Sequence, residues 1–212
     1  MKFPNLRLSA VALLITGIAL ASCNAVRAET LTGASLVQHL RQGGYVLLIR
    51  HAHSPAEKPN KGMADADNPN HERQLDETGR STARTMGEAI RKLRIPVGAV
   101  LSSPTYRALE TVRFAALGSA RTYAELGDGG QSMSAAAVAG QAGWLRNKVA
   151  ERPKPRSNTI IVTHMPNIQA AFNKDATDLT DGEALVFYPN GHGEADLVAK
   201  IKIEDWPTLV RN

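Results

Sequence analysis

The stretch Gly43-Gly44-Tyr45-Val46-Leu47-Leu48-Ile49-Arg50-His51 sets five apolar residues in a row between two glycines and an Arg-His pair. A strand with one wet face alternates apolar and polar residues; an unbroken apolar run is buried on both faces, as in a parallel sheet covered by helices on either side. Working backward, Thr32 to Arg41 carries Leu36, Val37 and Leu40 at helical spacing, and Gly43-Gly44 ends that helix. Working forward, Ser54 to Gln74 is rich in Pro, Asn, Asp and Lys, the composition of a long functional loop. Gly79 to Leu93 then places Ala83, Met86, Ile90 and Leu93 on one helical face, with Asp76 or Thr78 as cap.

Val97 to Leu101 is a second buried strand, and Ser103-Pro104 reads as a helix start, with Ser as cap and Pro in the first turn. A short strand near Arg121 to Tyr123 leads to the glycine-rich Gly127 to Gly130, and Ala135 to Val149 is helical. Thr159 to Thr163 is a third strong β run, stopping at His164, and Pro166 opens a further helix. Ala184 to Tyr188 and Asp196 to Ile203 form two late strands joined by the turn Asn190-Gly191-His192-Gly193. This alternation predicts a three-layer α/β/α sandwich with a mostly parallel central sheet.

Ligands of such sheets bind beyond the carboxyl ends of the strands. Three of those ends carry Arg50-His51, Ser102-Ser103-Pro104 with Arg107, and His164. Two guanidinium groups fit phosphate oxygens bidentately. Backbone N–H groups at a helix start favour the same anion, and a neutral imidazole with its tautomer fixed is a nucleophile. Phosphoryl transfer needs little beyond in-line positioning and neutralised equatorial oxygens.

Four elements, read in order, resemble the histidine phosphatase superfamily, the branched family of phosphoglycerate mutases and acid phosphatases. They are Arg50-His51-Ala52 after its strand, Leu75-Asp76-Glu77-Thr78-Gly79 with Ala83, Leu101-Ser102-Ser103-Pro104-Thr105-Tyr106-Arg107-Ala108 with Thr111, and Val162-Thr163-His164. The resemblance implies a phosphoglycerate mutase-like fold and branch 1 chemistry: phosphorylation of His51 during turnover, with Arg50, Arg107 and His164 holding the phosphoryl group, and no metal or cofactor. It also implies an acidic proton donor after the second arginine, with Glu125 as first candidate and Asp128 as second. The expected partner is a small phosphorylated substrate. Asp181-Gly182-Glu183-Ala184-Leu185-Val186-Phe187 is similar to a stretch in small members that act on envelope sugar phosphates.

Other readings of the same residues exist. His51-Ala52-His53 after a strand suits a metal-dependent amidohydrolase, but that barrel needs about 250 residues, and it leaves Arg50 and Arg107 without a purpose. A phosphate-binding envelope protein without turnover and a phosphomutase both keep the fold. Lys58 and Lys61 are loop cations that could meet an anionic substrate, though most such lysines are merely solvated. His53 reads as a solvated loop histidine, and His39, His71 and His192 as surface residues.

Composition narrows the classes further. The 212 residues carry 25 Lys and Arg against 20 Asp and Glu, with one cysteine. Lys2 and Arg7 precede and flank an apolar run from Leu8 to Ala21, too short to span a bilayer comfortably and shaped like an export signal over residues 1–28. Val26-Arg27-Ala28 suits a soluble-secretion peptidase, whereas Leu20-Ala21-Ser22-Cys23 resembles a bacterial lipobox. The expectation is an exported domain over residues 29–212, periplasmic or held at the outer membrane by a lipid on Cys23. Cleavage after Ala28 leaves 22 basic against 20 acidic residues, which is no nucleic-acid footprint. With Cys23 the only cysteine, disulfides and a cysteine nucleophile are excluded.

Overall fold

The computed structural model describes residues 30–128 and 133–211. Residues 1–28 and Cys23, on which the export expectation rests, and Gly129-Gly130 of the glycine-rich loop lie outside them. Six strands form one sheet: β1 (Val46–Arg50), β2 (Val97–Ser102), β3 (Arg121–Thr122), β4 (Asn158–Thr163), β5 (Ala184–Pro189) and β6 (Ala195–Ile201). The order across the sheet is β3-β2-β4-β1-β5-β6. β1 lies parallel to β4, and β2 parallel to β4 and β3, while β5 and β6 are antiparallel. The sheet is thus mixed and mostly parallel, with β1 and β4 at its centre.

The alternation of β1 divides the core. Leu47 and Ile49 point to one face, with Ile160, Val162 and Val186. Helices α1 (Gly33–Gln42), α2 (Glu77–Lys92) and α3 (Tyr106–Phe114) cover that face through Leu40, Met86 and Val112. Val46 and Leu48 point to the other, where α4 (Ala135–Ala150) and α5 (Met165–Phe172) bring Leu145, Val149 and Ile168. Each fully buried aliphatic side chain contributes about 1.5–3 kcal/mol of transfer free energy, so the double-sided run of β1 is the strongest single demand for three layers.

Local boundaries differ from expectation at three places. α2 begins at Glu77: Asp76, not Thr78, is the cap, accepting the Gly79 N–H at 2.8 Å. α3 begins at Tyr106 with Thr105 before it, so Ser103-Pro104 is a turn and not the helix start. The reason is that the Ser103 hydroxyl faces His164 Nε2 at 2.8 Å and accepts the Thr105 N–H at 3.2 Å. The last strand ends at Ile201, and α6 (Trp206–Arg211) follows, burying Trp206 completely against the α2 side of the core.

Candidate active site

The cup forms where β1, β2 and β4 end. The His51 N–H donates to Thr163 O at 3.0 Å, which continues the ladder one residue past β1. Gly182 N–H donates to His51 O at 3.0 Å from the other side. Ala52 N–H donates to Thr111 Oγ1 at 3.0 Å, and that hydroxyl donates to Arg107 O at 2.9 Å, so one threonine joins the nucleophile loop to α3. Gly79 completes the support. A Cβ there would meet His53 O at 2.1 Å, so only glycine lets the first turn of α2 pack against the loop after β1.

The hydrogen bonds fix the imidazole tautomers. His51 Nδ1 lies 2.8 Å from Ala52 O, a pure acceptor, so Nδ1 carries the hydrogen. Arg107 Nε donates to His51 Nε2 at 3.2 Å, so Nε2 keeps its lone pair. Arg107 Nη2 donates to His164 Nδ1 at 3.1 Å, which leaves the His164 Nε2 hydrogen for Ser103 Oγ. The two rings stand 5.2 Å apart, nearly edge to face. His51 and Arg107 are each 5% exposed and His164 1%. Burial, against the pull of the Ala52 carbonyl and helped by the Arg107 charge, lowers His51 to about 4. Burial and the Arg107 charge lower His164 to about 2. Both rings are therefore neutral at pH 7.

Arg50 closes the cup from the β5 side. Its Nη1 donates to Leu179 O at 2.7 Å and its Nη2 pairs with Asp181 at 2.6 Å. Its Nε is buried with no hydrogen-bond partner among the described residues, a donor that an anion in the cup would satisfy.

The two acid candidates part company. Asp128 forms an ion pair with Arg107 Nη2. Glu125 forms none among the described residues; its backbone carbonyl, with that of Gly127, is held by Asn167 Nδ2 at 3.1 and 2.9 Å. The short 3₁₀ turn Ala124–Leu126 is thus pinned by its backbone, and the chain delivers the Asp128 carboxylate to the cup. The metal-pair reading of His51 and His53 fails on geometry: His53 Nδ1 turns away to Asp76 Oδ2 at 2.9 Å, while His51 faces Arg107.

Residues 46–128 match the histidine phosphatase superfamily, branch 1. None of the curated proteins matches. Among solved structures, a protein histidine phosphatase SixA complexed with tungstate superposes with a TM-score of 0.54 at 16% identity, over 76% of this chain and 98% of that one. A phosphoserine phosphatase from Entamoeba histolytica in complex with phosphoserine gives 0.53 at 14% identity, over 76% and 98%. At such identities the likeness is one of fold.

In this histidine phosphatase fold the structure adds two groups that the sequence reading passed over. Arg73 donates to Pro55 O at 2.6 Å and Ser54 O at 2.8 Å. Burial, then the charge of Arg107, lowers its pKa, and its hold on Ser54 and Pro55 ties it to the loop that follows His51. The second is Asp181, the partner of Arg50. The signal for Arg73 was its position two residues before Leu75, at the end of the long loop. Lys58 and Lys61, the cations singled out in that loop, are exposed, and Lys58 lines a separate cavity of about 540 Å³ beside α2.

Proposed function

We propose that the chain is an exported phosphatase that hydrolyses phosphate monoesters through a phosphohistidine on His51. The observation that carries this reading is His51 Nε2, an unprotonated acceptor that Arg107 Nε holds at 3.2 Å beside the His164 ring. The unused Arg50 Nε donor and the Arg73 guanidinium support the same occupant, a phosphoryl dianion. An apolar segment behind Lys2 and Arg7 supports export.

The steps follow from these groups. The phosphoryl oxygens take over Arg50 and Arg107. The Nε2 lone pair forms the P–N bond as the P–O bond to the leaving group breaks, and that electron pair departs on the ester oxygen. Nδ1–H stays on Ala52 O and bears the positive charge that develops on the ring. Asp128, displaced from Arg107 and set beside a dianion, gains a proton and gives it to the leaving oxygen. Water then attacks phosphorus, the P–N pair returns to Nε2, and the water proton goes to Asp128. The net products are alcohol and orthophosphate.

Turnover of p-nitrophenyl phosphate stopped in alkali is expected to leave one phosphoryl group on the peptide that contains His51, released by mild acid and read by mass spectrometry. Continued turnover with no label on that peptide overturns the covalent route.

The acid has its own test. Asp128→Asn is expected to slow alkyl phosphates by roughly ten- to a hundredfold. p-Nitrophenyl phosphate, whose leaving group needs no proton, is slowed far less. Equal slowing of both esters, or no slowing of either, removes Asp128 from that role.

A further inference from the structure

Asp181 is built into the cup more firmly than a loop residue needs to be. It sits on the turn Thr180-Asp181-Gly182-Glu183 just before β5. The buried Glu183 accepts both the N–H and the hydroxyl of Thr180 at 2.9 Å. Gly182 binds the carbonyl of His51 and adopts a φ of 73°, with Ile203 filling the place of its Cβ. The Asp181 side chain is 26% exposed: its buried Oδ1 faces Arg50, and its charge acts on both His51 and Arg73 of the cup.

The cations at the opening are engaged except at Arg50 Nε, the donor that the phosphoryl group would take. Arg73 spends Nε and Nη2 on backbone carbonyls. Arg107 holds both histidines and Asp128. Arg50 holds Leu179 O and Asp181. When a phosphoryl dianion takes Arg50, the Asp181 carboxylate is left at the rim without its full counter-charge. A leaving group with a carboxylate of its own meets that charge, while the spare Arg50 donor is already taken by the phosphoryl group. A leaving group with an ammonium restores the lost ion pair.

We propose that Asp181 is a specificity residue that directs this site to phosphate esters of amino alcohols and against esters of hydroxy acids. The inference rests on the phosphatase reading for its kinetic form, but not for its binding form.

O-Phosphoethanolamine and O-phosphoserine differ by one carboxylate and are the probes. The wild-type kcat/KM is expected to favour phosphoethanolamine by at least about tenfold, the size of one like-charge contact at a partly wet site. Asp181→Asn is expected to bring the ratio to within about threefold, and Asp181→Glu to keep the preference. Calorimetric binding of the same two esters to His51→Ala is expected to show the same order without any turnover. Equal use of the two esters by the wild type, or a preference that survives Asp181→Asn, overturns the inference. Loss of all turnover with the binding preference intact instead overturns the phosphatase reading and leaves Asp181 in its role.

Discussion

Replacing His51 by alanine is expected to lower phosphate release from p-nitrophenyl phosphate at least about a thousandfold, because it removes the atom to which the phosphoryl group is transferred and not merely a contact to it. The size of the effect follows from the surroundings. Nε2 is the acceptor of Arg107 Nε, and the ring is 5% exposed, so no other side chain among the described residues is placed to take over its role. The side chain also has a structural part: its loss leaves the Arg107 Nε donor without an acceptor, a penalty of about 1–3 kcal/mol. A thermal melt of the variant separates the two. The expected result is a folded protein with a lowered Tm that still binds orthophosphate through Arg50 and Arg107 but does not turn over. Equal rates in wild type and variant would overturn the assignment of the nucleophile, whatever the melt shows.

Much of this site is written in local sequence. The apolar run of β1 demands cover on both faces, and that demand fixes the layer architecture and places Arg50 and His51 at a strand end. β4 carries the same signal to Thr163, and β2, expected as a second buried strand but only half-buried, pairs with it and brings Arg107 to the same edge as His164. What escaped was what depends on contacts between distant segments. Ser103 has the residue type and spacing of a helix cap, yet its hydroxyl is claimed by His164, 61 residues away. Arg73 lies in a stretch with no periodicity, and only the carbonyls of Ser54 and Pro55 tell where its guanidinium goes. Asp181 belonged to a recognised stretch, but its pairing with Arg50 spans the β1–β5 neighbourhood, which no local pattern encodes. Glu125 and Asp128 are not told apart by local pattern; the Asn167 side chain that holds the Glu125 and Gly127 carbonyls comes from α5. Trp206 is core, in a place beside α2 that sequence distance hides.

The same burial that prepares the imidazoles makes the fold sensitive to acid. His51 and His164 titrate near 6.5 in an unfolded chain but are lowered to about 4 and about 2 in the folded one. As pH falls below 6.5, the unfolded state binds two protons that the native state refuses, and stability drops. Glu110 works against this. It is 1% exposed, and burial raises it to about 6, against the Leu75 N–H and Arg80 that favour its charge. Between about 6 and 4.5 the native state therefore takes up a proton that the unfolded state does not, which returns part of the loss. Asp67 and Asp76 are lowered, Asp67 chiefly by the Tyr106 hydroxyl and Asp76 by the Gly79 N–H and His53 against its burial, and they act only below this window. The balance is a net loss of about 3–4 kcal/mol between pH 7.5 and 4.5, measured by urea unfolding at the two pH values. In Glu110→Gln the compensating proton is gone, and the loss over the same interval is expected to grow to about 5 kcal/mol, even though the variant starts less stable through its lost contacts to Arg80 and Arg113. A stability that stays flat over this interval would mean that the two rings are not held neutral by burial, and the geometry that makes His51 a nucleophile at neutral pH would lose its physical basis. A loss that Glu110→Gln leaves unchanged would instead place that carboxyl among ordinary, fully charged ion-pair partners.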